Sequence, residues 1–122
     1  MVKITRQRLK TFLQQAQKEI KQYESVHQTI YLAQAGEKLW NAFNIIIALK
    51  SKEKIRSHKD LREAVAKLYA KTGQRVFIEG YESAYELHKF FYRGWTSDID
   101  DIYNKCLYVY SLIKVIDGME VR

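Results

Sequence analysis

The chain has 122 residues and a formal net charge of +7, with 47% hydrophobic residues, no Pro, five Gly and one Cys. Its length fits one domain over residues 1–122 with its own core, and its apolar content excludes a disordered chain. The lone Cys106 excludes an intramolecular disulfide framework and a Cys-based zinc site, while the shortage of turn formers excludes an ordinary all-β chain.

Hydrophobic periodicity predicts five helices. The first runs from Ile4 to Tyr23, with an apolar stripe of Leu9, Phe12, Leu13, Ala16, Ile20 and Tyr23 at spacings of three and four. The second runs from Val26 to Leu49 and carries two rows: Val26, Ile30, Ala33, Trp40, Phe43, Ile47, and Leu32, Ala35, Leu39, Ala42, Ile46, Leu49. Two adjacent rows make a wide buried arc, which places this helix at the centre. Its middle holds a charged pair, Glu37-Lys38.

Lys50 to Arg56 is a charged break. Ser57 then has the character of an N-cap, with Asp60 in a capping-box-like position three residues on. The third helix carries Leu61, Val65, Leu68 and Tyr69, and Gly73 stops it after Thr72. The fourth begins near Gln74 or Arg75 and places Phe77, Tyr81, Ala84, His88 and Phe91 on one row, ending at Gly94. Gly80 weakens it by roughly 1 kcal/mol relative to Ala. Ser97 is the expected cap of the fifth helix, where Asp98, Asp100 and Asp101 complement the N-terminal dipole. That helix repeats cleanly through Ile99, Ile102, Cys106, Val109, Ile113 and Ile116 and stops at Gly118. The expected fold is all-α: an up-and-down antiparallel bundle of four main helices, with the shorter third helix bridging between pairs.

Charge is unevenly placed. Residues 1–24 hold six Lys/Arg against two acids, residues 50–75 nine against three, and residues 76–122 five against eight. This polarity could steer a polyanion to one flank; solvated helix faces are the plainer alternative. The apolar run Ala42 to Leu49 is too short to span a bilayer, and no apolar signal segment follows Lys3, Arg6 and Arg8, so a cytoplasmic protein without membrane contact is expected.

The stretch Gln34-Ala35-Gly36-Glu37-Lys38-Leu39-Trp40-Asn41-Ala42-Phe43, followed by a basic loop and His58-Lys59-Asp60-Leu61, resembles the HEPN domain (higher eukaryotes and prokaryotes nucleotide-binding). The block Glu37-Lys38-Leu39-Trp40, with Leu87-His88 and Phe91-Tyr92, is similar to an archaeal branch of paralogous HEPN-like proteins. The resemblance implies a helical bundle, often dimeric, that works beside a small nucleotidyltransferase, commonly as a toxin–antitoxin pair. Catalytically active members are metal-independent ribonucleases in which four to six residues separate an Arg from a following His. Here the positions where that Arg would stand are Ile20-Lys21-Gln22 before His27, Ser51-Lys52-Glu53 before His58, and Tyr81-Glu82-Ser83 before His88. The ribonuclease signature is therefore absent.

Candidate binding residues are Lys50, Lys54, Arg56, His58, Lys59, His88, Tyr92 and Arg93. The run Lys50, Lys52, Lys54, Arg56 and Lys59 is the densest basic segment; it suits phosphate contact or, alternatively, the cation preference of a helix C-terminus. His58, flanked by cations that depress its pKa, suits phosphate contact or proton transfer, or a stabilising role at a helix start. His88 reads as a satisfied core or interface His, or, with Tyr92 and Arg93, as one wall of a cleft at a dimer seam. The ridge Glu79, Glu82, Glu86 reads as solvated surface before it reads as a cation site. No metal, cofactor or catalytic set is expected. The aromatics of the last two helices, among them Phe90, Phe91, Tyr92, Trp95, Tyr103, Tyr108 and Tyr110, exceed what one face can bury and point to a homodimer. The expected function is a non-catalytic HEPN-like module that binds nucleotide or RNA. The alternatives are an atypical ribonuclease using Arg56, His58 and His88, and a purely structural oligomerisation module.

Overall fold

A computed structural model describes residues 2–93 and 98–121 and carries them as five helices: α1 Val2–Val26, α2 Thr29–Ser51, α3 His58–Thr72, α4 Val76–Arg93 and α5 Ile99–Asp117. The described residues contain no strand. The two apolar rows of α2 have the partners they require, since α2 packs against all four other helices. Leu32, Ala35, Leu39, Ala42, Phe43, Ile46 and Ile47 are sealed from solvent. Arg6 of α1 pairs with Asp117 of α5, and Glu24 of α1 accepts from the Tyr103 hydroxyl of α5, so these two helices run in opposite directions. The shorter α3 lies against α2 and α4.

Two glycines set how closely α2 and α4 approach. A Cβ on Gly36 would lie 3.2 Å from Leu87 Cβ, and one on Gly80 would lie 2.9 Å from the Phe43 ring. Moving seven residues along α2 thus moves seven back along α4, the signature of antiparallel neighbours. Gly80 is the seat of a buried aromatic ring and not merely a weak point in its helix.

Each helix end has a local cause. The Ser57 hydroxyl oxygen accepts from the Asp60 N–H at 3.1 Å, and Asp60 Oδ2 accepts from the Arg56 N–H at 3.0 Å. Gly73 turns left-handed at φ 69° and returns its N–H to Tyr69 O. Lys52 ends α2 in the same left-handed region at φ 61°. Between α1 and α2 the turn falls on His27, with φ 54°; Val26 therefore belongs to α1, and both Val26 and Ile30 stand exposed instead of starting a buried row. Asp98 caps α5 by accepting from the Asp100 N–H at 2.9 Å. The expected cap Ser97, the expected stop Gly94 and Trp95 lie outside the described residues.

The buried face of α4 also differs from the expected row. It runs Phe77, Gly80, Ala84, Leu87, Phe90, while Phe91 is exposed and Tyr81 and His88 are only half-buried. On α5, Ile102, Cys106, Val109, Ile113 and Ile116 are buried as expected. Burial pushes the Cys106 thiol up to about 12, so it stays protonated and unreactive at neutral pH.

Candidate functional site

Three elements converge on one cleft. From α2 come Glu37, Trp40 and Asn44, spaced three and four apart and therefore on one face. From α4 come Tyr81, Tyr85, His88 and Tyr92, spaced four, three and four. The start of α3 adds Ser57 and His58, fixed by the cap. Trp40, Asn44, Ile55, Arg56, Ser57, His58 and His88 line a cleft of ≈ 310 Å³, at the small end of ligand pockets.

Both histidines are held by specific partners. His58 Nε2 lies 2.5 Å from the Tyr81 hydroxyl. His88 Nδ1 lies 2.8 Å from Glu37 Oε1. The His88 ring stacks on Trp40 with centroids 4.8 Å apart and planes 23° apart, and Tyr92 meets it edge-on at 4.8 Å. His58 packs on Tyr85 at 4.6 Å and meets Trp40 edge-on at 5.7 Å. A continuous ladder of rings thus runs from His58 through Trp40 to Tyr92. Glu37 also takes the Tyr92 hydroxyl, and its negative charge holds that phenol above the ordinary value.

A carboxylate only accepts hydrogen bonds. A neutral His88 must therefore carry its proton on Nδ1 toward Glu37 and its lone pair on Nε2. At His58, partial burial lowers the pKa first, and the charges of Arg62 and His88 lower it further. Burial raises the Tyr81 pKa, with Arg62 opposing, so the His58–Tyr81 contact joins a neutral ring to a protonated phenol at neutral pH.

The lowered pKa has a measurable sign. The unfolded chain protonates this ring around the ordinary 6.5, and the folded chain only at lower pH. The unfolded state then binds more protons, and stability falls as pH drops through 6.5 toward the folded value. Replacing His58 by Gln flattens that part of the profile. Thermal midpoints recorded in steps between neutral and acid pH check this; an unchanged slope refutes it.

The basic run does not act as one unit. Arg56 lines the cleft. Lys50 leaves it altogether: its ammonium donates to Asp117 O at 3.0 Å and Met119 O at 2.6 Å, tying the end of α2 to the end of α5. Lys59 faces Glu63 at 4.0 Å along α3. Lys54 and Arg93 are exposed, and neither lines the cleft. Tyr92 joins through His88 and Glu37 and is 67% exposed. Sequence reasoning missed Tyr81, Tyr85, Asn44 and Arg62 as neighbours of this site, and it missed Glu37 as the partner of His88. Two signals carried them: the four-three-four spacing on α4, and Arg62 one helical turn beyond His58.

The acidic ridge is engaged. Glu79 accepts from the Tyr108 hydroxyl at 2.8 Å and Glu86 pairs with Lys89 at 2.6 Å. Among the described residues no cluster of His, Cys, Asp and Glu could hold a metal ion, and no helix is long and apolar enough to cross a membrane. A larger groove of ≈ 530 Å³ between α1 and α5 gathers Arg6, Lys10 and Lys114 over Leu9 and Leu13, but no histidine or cysteine lines it.

Residues 11–109 match the family model described as the archaeal PaREP1/PaREP8 family. No curated protein and no solved structure matches the chain.

Proposed function

The chain belongs to the archaeal PaREP1/PaREP8 family, and we propose that this member binds nucleotide or RNA in the cleft between α2, α3 and α4. The observation that carries this reading is the convergence of His58, His88 and Arg56 on one cleft, with both histidine rings packed on Trp40. Arg56 supplies a fixed positive charge for a phosphate, and Arg62 adds a second nearby. Tyr92 offers an open ring for a base. We read residues 1–122 as a HEPN-like domain, a reading with which the all-helical bundle is compatible, and the resemblance alone suggests a small nucleotidyltransferase as its partner. Exposed Leu107, Tyr108 and Val115 on α5 support a second copy of the chain on that face.

Fluorescence titration with a short single-stranded RNA at low salt tests the binding reading. Arg56→Ala weakens binding by about tenfold and reduces the salt slope by about one charge. Failure of the wild-type protein to bind RNA or any nucleotide at low salt removes the proposal.

A second reading, a metal-independent ribonuclease, is favoured by one contact. The Glu37–His88 hydrogen bond leaves Nε2 as a base while His58 stands across the same cleft, an arrangement suited to paired acid–base work. Cleavage in the presence of a chelator, lost in both His58→Ala and His88→Ala, marks it. Cleavage that survives both substitutions excludes it.

A further inference from the structure

We propose that Glu37 is a positioning residue that fixes His88 so that its Nε2 accepts a hydrogen bond from a ribose 2′-hydroxyl, making the cleft selective for ribonucleotides over deoxyribonucleotides. The inference rests on the binding reading above and names the substrate class within it.

The argument begins with the ring's orientation. Glu37 Oε1 lies 2.8 Å from His88 Nδ1, and the carboxylate can only accept, so Nδ1 donates. Turning the ring over would put a carbon in that place and forfeit the bond. The stack on Trp40 and the edge-on Tyr92 hold the plane of the ring, and the Glu37 contact selects which way round it sits. Nε2 therefore faces away from Glu37 and, in the neutral ring, presents a lone pair to whatever fills the cleft His88 lines.

The neighbours of that lone pair decide what it meets. Of the other polar groups of the cleft wall, the Arg56 guanidinium only donates, His58 is held by the Tyr81 hydroxyl, and the Asn44 amide donates to Trp40 O at 2.9 Å while keeping its Oδ1 as an acceptor. Arg56 lines the same cleft as His88, and the exposed ring of Tyr92 touches His88 edge-on at 4.8 Å. In any nucleotide the sugar lies between phosphate and base. With phosphate on Arg56 and base on Tyr92, the sugar edge falls at His88. The 2′-hydroxyl is the O–H donor on that edge which RNA has and DNA lacks. A deoxyribose desolvates Nε2 and gives it no partner, and a site built for a hydroxyl rejects the analogue without one.

The test compares three oligomers of one sequence, as RNA, as DNA and with 2′-fluoro sugars, by quenching of tryptophan fluorescence. The fluoro sugar keeps the RNA pucker but has no O–H. RNA binds about tenfold tighter than either of the others, and the ratio collapses toward one in His88→Phe and in Glu37→Leu. Long-range proton–nitrogen NMR on the ligand-free protein supplies a readout independent of ligand and variants: His88 shows the Nδ1–H tautomer, with Nε2 unprotonated. Equal affinity for RNA and DNA overturns the selectivity while leaving the binding reading intact. An Nε2–H tautomer, or a ratio that survives His88→Phe, overturns it as well. If none of the oligomers binds, the binding reading falls and takes this inference with it.

Discussion

Phe43→Ala lowers the unfolding free energy by about 3–5 kcal/mol, which corresponds to roughly 10–20 °C in Tm for a chain of this size. Phe43 is wholly buried on α2, and its ring fills the space that Gly80 leaves open on α4. Truncation leaves a cavity that two packed helices cannot readily close. Gly80→Ala provides the converse experiment. Alanine gains about 1 kcal/mol of helix propensity, but its Cβ would stand 2.9 Å from Phe43 Cε1, and overpacking of that kind costs about 1–3 kcal/mol. The net effect in the wild-type background is a loss of stability. In a Phe43→Leu background the clash is relieved and the propensity gain remains. Urea unfolding of the two singles and the double measures both terms; a Gly80→Ala protein more stable than wild type refutes the close approach.

Lys38→Met costs about 3 kcal/mol. The Lys38 ammonium of α2 is hydrogen-bonded to Glu19 of α1, a side chain only 8% exposed. The second oxygen, Glu19 Oε2, is buried with no hydrogen-bond partner. Removing the ammonium strands a carboxylate in the α1–α2 seam, and a buried charge without its partner is far more costly than the pair is beneficial. Glu19→Leu combined with Lys38→Met restores most of the loss, because apolar side chains of similar volume suit the same seam. Equilibrium denaturation of the single and double variants checks this. A single variant within about 0.5 kcal/mol of wild type would mean that the pair behaves as a screened surface ion pair.

The fold was largely legible because it depends on local periodicity. The two rows of α2 from Leu32 and Ala33 onward, the repeat of α5 from Ile102 onward and the Ser57/Asp60 start of α3 are all patterns within a single helix, and each appears where its spacing put it. What failed locally failed for steric reasons. His27 adopts a left-handed conformation that no Gly or Asn announced, which shifted the α1–α2 boundary. On α4 the rows containing Phe90 and Phe91 are separated by one residue, and only packing against Phe43 and Gly36 decides which faces inward.

The site was legible in its members and not in their pairing. His58, His88 and Arg56 were singled out and do share one cleft. Glu37 and His88 lie 51 residues apart, and nothing in the spacing of either helix links them; the contact follows from the register that Gly36 and Gly80 impose. Lys50 was misread for a related reason. A cation at a helix end serves nearby carbonyls wherever they come from, and here they come from the far end of the chain.

The sealed thiol of Cys106 has a practical corollary. Because it stays protonated inside α5, alkylating reagents such as maleimides should pass it by. One cysteine introduced at an exposed position such as Ser111 would then take a spin label or fluorophore cleanly, without removal of the native sulfur, and α5 becomes a ready handle for spectroscopy.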